Sequence, residues 1–293
     1  MIKVSVPATS ANLGPGYDCL GIALDEFCTV TFESIDQGLE ITGCEEAYCT
    51  EDNLIYQAFL KGLQYMNRSI RGLRMHVETN IPYARGMGSS ATCIVAGLCG
   101  ANAMFQHPMN KYEIFDLATQ MEGHPDNVAP AIFGALCVSF MDEGKPSMIR
   151  YGVKKDLIFV TMIPDFEVST KAAREVLPTQ MSYPQAVYQM GRTAALAKAM
   201  EIGNALILKK ACKDQMQEPY RKQLIPAYDN VRSICDESGA ITMFISGSGS
   251  TMMALTQSEE IAETIVTELS HTYPSWDFRL LHATYEGCKD EVI

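Results

Sequence analysis

Three short stretches carry residue types that could do chemistry. The first is Glu122-Gly-His-Pro-Asp-Asn-Val-Ala-Pro130, which crowds two carboxylates, an imidazole and an amide around Pro125. Glu122 falls at the C-terminal end of a predicted helix, where the dipole disfavours negative charge, and it could hold a divalent cation. Asp126 could orient or deprotonate a hydroxyl, and His124 could donate a hydrogen bond to a substrate. Plainer alternatives stand beside these. A helix-end Glu is usually solvated, a loop His usually packs or caps, and an Asp before Asn often only closes a turn.

The second stretch is Pro82-Tyr83-Ala84-Arg85-Gly86-Met87-Gly88-Ser89-Ser90-Ala91-Thr92. Gly86 and Gly88 can take backbone angles closed to other residues, while Ser89 and Ser90 supply hydroxyls and a cap. A helix opening there, with Ile94, Val95, Leu98, Ala101 and Phe105 on its apolar stripe, would point free N–H groups and a positive dipole end at the loop. A phosphate fits that description. The third stretch, Pro7-Ala-Thr-Ser-Ala-Asn-Leu-Gly-Pro-Gly-Tyr-Asp18, reads as a loop of small and polar residues. In it Asn12 and Asp18 could fix a polar ligand, the carboxylate suiting an ammonium group, or both could simply cap turns.

Two commoner phosphate loops do not match. The P-loop needs Gly-Lys-Ser/Thr, and the chain's one Gly-Lys, Gly144-Lys145, is followed by Pro146. Gly86 to Ala91 fits the dinucleotide pattern G-x-G-x-x-A, but Pro82 precedes a longer loop and Glu113 sits in a predicted helix, not at the end of a second strand.

Around these stretches the periodicity predicts the elements that must position them. Ile2, Val4 and Val6 alternate as a strand, followed by strands over 19–24 and 28–33. Leu54 to Met66 is an amphipathic helix, and Leu73, Met75, Val77 and Thr79 form a strand leading into the glycine loop. Asn110 and Glu113 form a capping box for the helix that ends at Glu122. Ser182 and Gln185 open a second boxed helix whose methionines and alanines pack in the core, and helix continues to about residue 238. Strands over 157–163, 240–246, 251–256 and 276–285, with a helix over 259–269, then complete a strand-helix-strand-strand-helix-strand order, which is ferredoxin-like.

The chain has 293 residues, is 47% hydrophobic and carries a net charge of -12. That length supports two ordinary domains. The acidity and the lack of any Lys/Arg block argue against nucleic acid as a partner. No apolar run is long enough to span a bilayer, and no signal peptide is read at the N-terminus. Ten cysteines without a C-x-x-C pair read as reduced, buried thiols of a cytoplasmic protein.

Together the 7–18, 82–91 and 122–130 segments resemble the GHMP family of small-molecule kinases, and within it the homoserine kinases. A further glycine-rich segment, Ile245-Ser-Gly-Ser-Gly-Ser-Thr251, falls in the order that family shows. The likeness runs from residue 5 to beyond 255. Departures are mild: Met87 where Leu is more usual, Ser250 where Pro is common, and Ala135 where Gly often stands. The resemblance implies an α+β, two-domain GHMP-kinase-like fold. Residues 1–150 would form an N-terminal α/β ATP-binding domain with a left-handed-crossover-type nucleotide site, and 151–293 a C-terminal ferredoxin-like domain.

It also implies ATP-dependent phosphorylation of the side-chain hydroxyl of L-homoserine to O-phospho-L-homoserine, in threonine biosynthesis, with Mg²⁺. The loop from Pro82 to Thr92 would take the nucleotide, with Ser90 and Glu122 near the metal and Asp126 and Asn127 as the catalytic pair. Asn12, Asp18, His124, Thr170, Arg174 and Arg221 would bind substrate, Asp18 at the amino group and the two arginines at the carboxylate. Guanidinium forks suit a carboxylate, although without the resemblance a surface salt bridge is the plainer reading of either arginine. The expected partner is this small molecule, with no nucleic acid or membrane, and a homodimer is compatible with it. The alternatives are another small-alcohol kinase of the family, or a dinucleotide-binding oxidoreductase.

Overall fold

A computed structural model describes all 293 residues, which form two sheets backed by helices. Strands β1 (Ile2–Asn12), β2 (Gly16–Ile35), β3 (Gly38–Thr42) and β4 (Gly72–Thr79) lie in the first sheet. The hairpin of β5 (Leu136–Asp142) and β6 (Lys145–Tyr151) extends it, pairing through β5 with the first part of β2. Helices α1 (Leu54–Tyr65) and α2 (Ser89–Met104) pack on each other, and α2 lies on β1. Phe32 of β2 stacks on Phe59 of α1 at 5.4 Å between ring centroids in the main core. Helix α3 (Lys111–Glu122) opens with the expected Asn110–Glu113 capping box, and a short α4 (Val128–Phe133) follows it.

The first sheet departs from the expected elements in two places. Residues 7–12 are not a loop but the second half of β1, pairing Thr9 with Ala23 and Ser10 with Ile22 after a register shift. Small polar residues look like loop because they carry no hydrophobic alternation, yet Thr9 and Ser10 are completely buried and find partners inside. The strands expected at 19–24 and 28–33 are one continuous strand that pairs with β5 through its first part and with β4 through its second.

The second sheet comprises β7 (Ile158–Ile163), β8 (Thr242–Ile245), β9 (Met252–Thr256) and β10 (Asp277–Leu281) in the order β10-β7-β9-β8, every pair antiparallel. Helix α10 (Glu259–Thr272) packs on this sheet, in the ferredoxin-like arrangement expected. Between β7 and β8 run α5 (Thr170–Glu175), α6 (Tyr183–Ile202), α7 (Ala205–Ala211), α8 (Glu218–Arg221) and α9 (Tyr228–Glu237). The Ser182–Gln185 box caps α6 as expected, but helix does not run unbroken to residue 238, since Gly203 ends α6 in a left-handed conformation. The core stripe expected on α6 is partial: Leu196, Ala197 and Met200 are buried, whereas Val187 and Met190 face solvent. The last strand, β11 (Lys289–Val292), returns to pair with β1, so the first sheet holds both ends of the chain and a boundary at residue 151 does not separate the sheets. No helix is long and apolar enough to cross a membrane.

The two sheets meet where the glycine loop before α2 touches the turn between β8 and β9. Ser246 Oγ donates to the Gly86 carbonyl at 2.6 Å and shares a hydrogen bond with Ser10 Oγ at 2.8 Å. Thr251 N–H donates to the Arg85 carbonyl at 3.0 Å, and Gly247 N–H to the Ala11 carbonyl at 3.0 Å. Gly86 is required here by contact as much as by its φ of +81°, since a Cβ would stand 2.2 Å from the Ser246 carbonyl oxygen. Gly86→Ala is therefore expected to cost about 2 kcal/mol or more of stability. Thermal unfolding should show Tm lowered by several degrees, and an unchanged Tm would contradict so close a docking.

Candidate active site

A cleft of about 330 Å³ opens along this seam. At its middle, Gly88 caps α2 in a left-handed conformation, with φ +69° and no side-chain cap. The expected serine cap is therefore not formed, because the chain enters the helix through glycine and leaves both hydroxyls facing the cleft. Tyr83, Ala84, Gly86, Gly88, Ser89 and Ser90 line it, beside the open N-terminus of a 16-residue helix.

The rest of the predicted loop points elsewhere. Met87 and Ala91 are fully buried in the core, and Thr92 donates to the Gly88 carbonyl at 2.9 Å, closing the first turn of α2. Arg85 reaches across the seam to the Pro164 carbonyl at 3.2 Å and to Glu167 at 3.0 Å. Pro82 is also outside the lining. The loop therefore alternates between cleft and core, with Pro82, Arg85, Met87, Ala91 and Thr92 outside the lining.

Glu122, on the last turn of α3, accepts a hydrogen bond from Ser90 Oγ at 2.6 Å. Burial raises the pKa of its carboxyl, against the Ser90 hydrogen bond and the charge of His124, with Asp126 adding to the rise. No three carboxylate, histidine or cysteine side chains converge as a metal cage. One carboxylate beside one hydroxyl suits a hard cation that takes its other ligands from phosphate oxygens and water.

Beyond Gly123, His124 Nδ1 bonds Asp126 Oδ1 at 2.5 Å, and the same oxygen accepts the Asn127 backbone N–H at 2.9 Å. Burial alone would lower the His124 pKa, but the hydrogen bond and charge of Asp126, helped by Glu122 and Asp18, outweigh it and raise the value above 6.5. Asn127 Oδ1 accepts from Thr9 Oγ1 at 2.7 Å, which fixes the amide against β1. All of Glu122, His124, Asp126 and Asn127 line the cleft.

The far wall brings together the third stretch and the second half of the chain. Asn12 accepts the Asp18 N–H at 3.0 Å and donates to the Gly247 carbonyl at 2.9 Å. Arg174, on α5, makes a forked pair with Asp18 through two hydrogen bonds of 3.0 Å and also donates to Tyr17 Oη at 2.9 Å. Arg221, on α8, is 3% exposed and lies 5.1 Å from the centroid of the Tyr17 ring. Thr170, at the start of α5, completes this wall.

Sequence reasoning missed the apolar end. Cys44, Tyr48, Asn53, Leu54, Ile55 and Val77 line the cleft there, with Tyr48 and Tyr83 in tilted contact at 5.2 Å between ring centroids. The signal was faint, since a single tyrosine in the irregular stretch between β3 and α1 has no periodicity to mark it.

Residues 53–135 match the family described as the GHMP kinases N terminal domain, and residues 186–275 that described as GHMP kinases C terminal. A homoserine kinase of Clostridium botulinum (strain Alaska E43) is 39% identical over 290 residues, covering 98% of this chain and 97% of the relative. This chain belongs to the homoserine kinase family, among the GHMP kinases. A homoserine kinase of Clostridium beijerinckii is 41% identical over 256 residues, covering 87% of this chain and 86% of that protein. The crystal structure of the homoserine kinase from Cytophaga hutchinsonii superposes with a TM-score of 0.86 at 27% identity, covering 99% and 97% of the two chains.

The His124–Asp126 pair has a pH signature. A histidine whose folded pKa is raised contributes stability that is fully present below its unfolded value, near 6.5, and is lost as pH rises through the folded one. Asp126→Asn should lower the His124 pKa, read from the imidazole NMR titration. The stability gap between wild type and variant should be widest below pH 6.5 and narrow above the raised value. A His124 titration unmoved by the substitution would show that Asp126 is not what raises its pKa.

Proposed function

We propose that this chain transfers the γ-phosphoryl group of ATP to the side-chain hydroxyl of L-homoserine, yielding O-phospho-L-homoserine for threonine synthesis. One observation carries the reading: a single cleft joins a glycine loop at a helix N-terminus to the forked Asp18–Arg174 pair, with Arg221 beside it. A free amino acid presents an ammonium and a carboxylate, and each can take the place of one member of such a pair. Substrates of other small-alcohol kinases that carry a carboxylate but no ammonium would leave Asp18 unmatched.

The residues then divide the work. The N–H groups at the start of α2, with Gly86, Gly88 and Ser89, receive the nucleotide phosphates. Tyr48, Tyr83 and the apolar side chains around them take the base. Ser90 and Glu122 would hold Mg²⁺, which supplies charge neutralisation on the phosphates when bound. Asp18 meets the substrate ammonium, Arg174 and Arg221 its carboxylate, and Asn12 and Thr170 support that end. His124, oriented by Asp126, which also raises its pKa, offers its second ring nitrogen to the substrate. The Asn127 side-chain NH₂, whose oxygen is already occupied by Thr9, donates to the moving phosphoryl group.

Asp126 orients His124 and raises its pKa, and one of its oxygens already accepts two hydrogen bonds. A loose phosphoryl-transfer transition state needs little early removal of the hydroxyl proton.

ADP release coupled to a reporter tests the reading. L-homoserine should stimulate release over serine, mevalonate or galactose, and chelation of Mg²⁺ should abolish the stimulation. In the same assay Asp126→Asn should cost less than about 100-fold in kcat, whereas a larger loss would restore it as a general base. No stimulation by homoserine would overturn the assignment.

A further inference from the structure

Arg221 is gripped on several sides. Its Nε donates to the Ala173 carbonyl at 3.0 Å, and its Nη1 donates to the Gly247 carbonyl at 2.8 Å and to Gln217 Oε1 at 2.6 Å. Gln217 is 1% exposed and uses both ends of its amide, because Nε2 donates to the Gly14 carbonyl at 2.9 Å. Gly14 lies in the turn from β1 to β2, between Asn12 and Asp18. One buried amide thus ties the guanidinium to the turn that leads into β2, where the opposing Asp18 carboxylate stands.

The backbone around that amide is fixed in its own right. The Asp214 carboxylate accepts the N–H groups of Met216 at 2.9 Å, Gln217 at 2.9 Å and Glu218 at 2.6 Å, just ahead of the single turn of α8 that presents Arg221. Asp214 also accepts from the Gln189 side chain, which in turn donates to the Pro15 carbonyl at 2.8 Å. Gln217 therefore stands on an anchored segment and reaches an anchored turn, with Arg221 hydrogen-bonded between the bridge and Gly247.

We propose that Gln217 is a positioning residue that sets where Arg221 stands relative to Asp18, and so makes the site selective for an amino alcohol bearing a carboxylate. The inference rests on the assignment of Asp18 to the substrate ammonium and Arg221 to its carboxylate. Gln217 does not line the cleft, so it acts through Arg221 and not on the substrate. Its type matters as well as its place. A glutamate there would pair with Arg221 and compete with the substrate's carboxylate, whereas a neutral amide accepts the guanidinium N–H and leaves the charge available. Without the bridge, Nη1 keeps only the Gly247 carbonyl, and the guanidinium, still held at Nε by Ala173, loses the contact that sets it against the turn leading to Asp18.

The test compares L-homoserine with 3-aminopropan-1-ol, the same amino alcohol without the carboxylate, in the full-length protein. Gln217→Met removes both hydrogen bonds at similar volume, and Gln217→Asn keeps an amide too short to span them. Both should reduce the preference for homoserine over the analogue, by about 10- to 100-fold for Met. The loss should appear in KM for homoserine, with KM for ATP and kcat little changed. Equal losses on both substrates would mark Gln217 as merely structural, and an unchanged preference in either folded variant would equally overturn the proposal. Should Gln217→Met fail to fold, the Asn variant alone decides. Failure of the functional reading is separately visible, because the unmodified protein would then show no preference for homoserine, and the proposal would fall with it.

Discussion

Main-chain contact between two glycine-bearing turns is the constraint on which the rest of this structure depends. The 82–88 loop belongs to the first sheet and the 246–250 turn to the second, and they approach so closely at Gly86 that no side chain fits between them. Strand β1 is the third member, since Ser10 and Ala11 both bond to the 246–247 turn. The glycines of the loop thus serve two different needs. Gly86 admits the second domain, whereas Gly88 takes the left-handed turn that starts α2 and leaves its N–H groups open. The proposed phosphate site and the joint between the two sheets are built from the same few residues.

From that joint follow the electrostatics. The protein is strongly acidic, so positive potential in the cleft has to come from a helix terminus and from a few deliberately placed cations. Arg174 and Arg221 arrive on separate short helices of the second half, and Asp18 arrives at the start of β2. Holding Arg174 against Asp18 keeps either charge from standing unpaired, and Tyr17 presents its hydroxyl to one arginine and its ring near both. If the proposed substrate binds at this pair, it replaces one set of charge-assisted hydrogen bonds by another.

The sequence made some of this legible and hid the rest for identifiable reasons. Strand β4 and both capping boxes were visible because alternation and Ser/Asn-x-x-Glu/Gln spacing are local signals, and the order of the second sheet followed from counting elements. Asn12, Asp18, Ser90, Glu122, His124, Asp126 and Asn127 stood out by type and spacing, Thr170, Arg174 and Arg221 only through the family resemblance, and all of them share one cleft. What stayed hidden depends on contact. Nothing local distinguishes a buried Thr9-Ser10-Ala11 strand from a loop, turns Met87 and Ala91 into the core, or brings Tyr48 beside Tyr83. Nor does any pattern reveal that β11 closes the first sheet or that Gln217 spans two elements far apart in the chain.

The central claim is spatial: one seam between two sheets places the nucleotide phosphates and an amino-acid alcohol side by side. A crystal structure of the protein with L-homoserine and a non-hydrolysable ATP analogue tests it most directly. The account predicts phosphates against Gly86, Gly88 and the first N–H groups of α2, with the substrate ammonium at Asp18, its carboxylate at Arg174 and Arg221, and its hydroxyl facing the terminal phosphate. Phosphates seated elsewhere, or a homoserine that leaves the Asp18–Arg174 pair untouched, would contradict it.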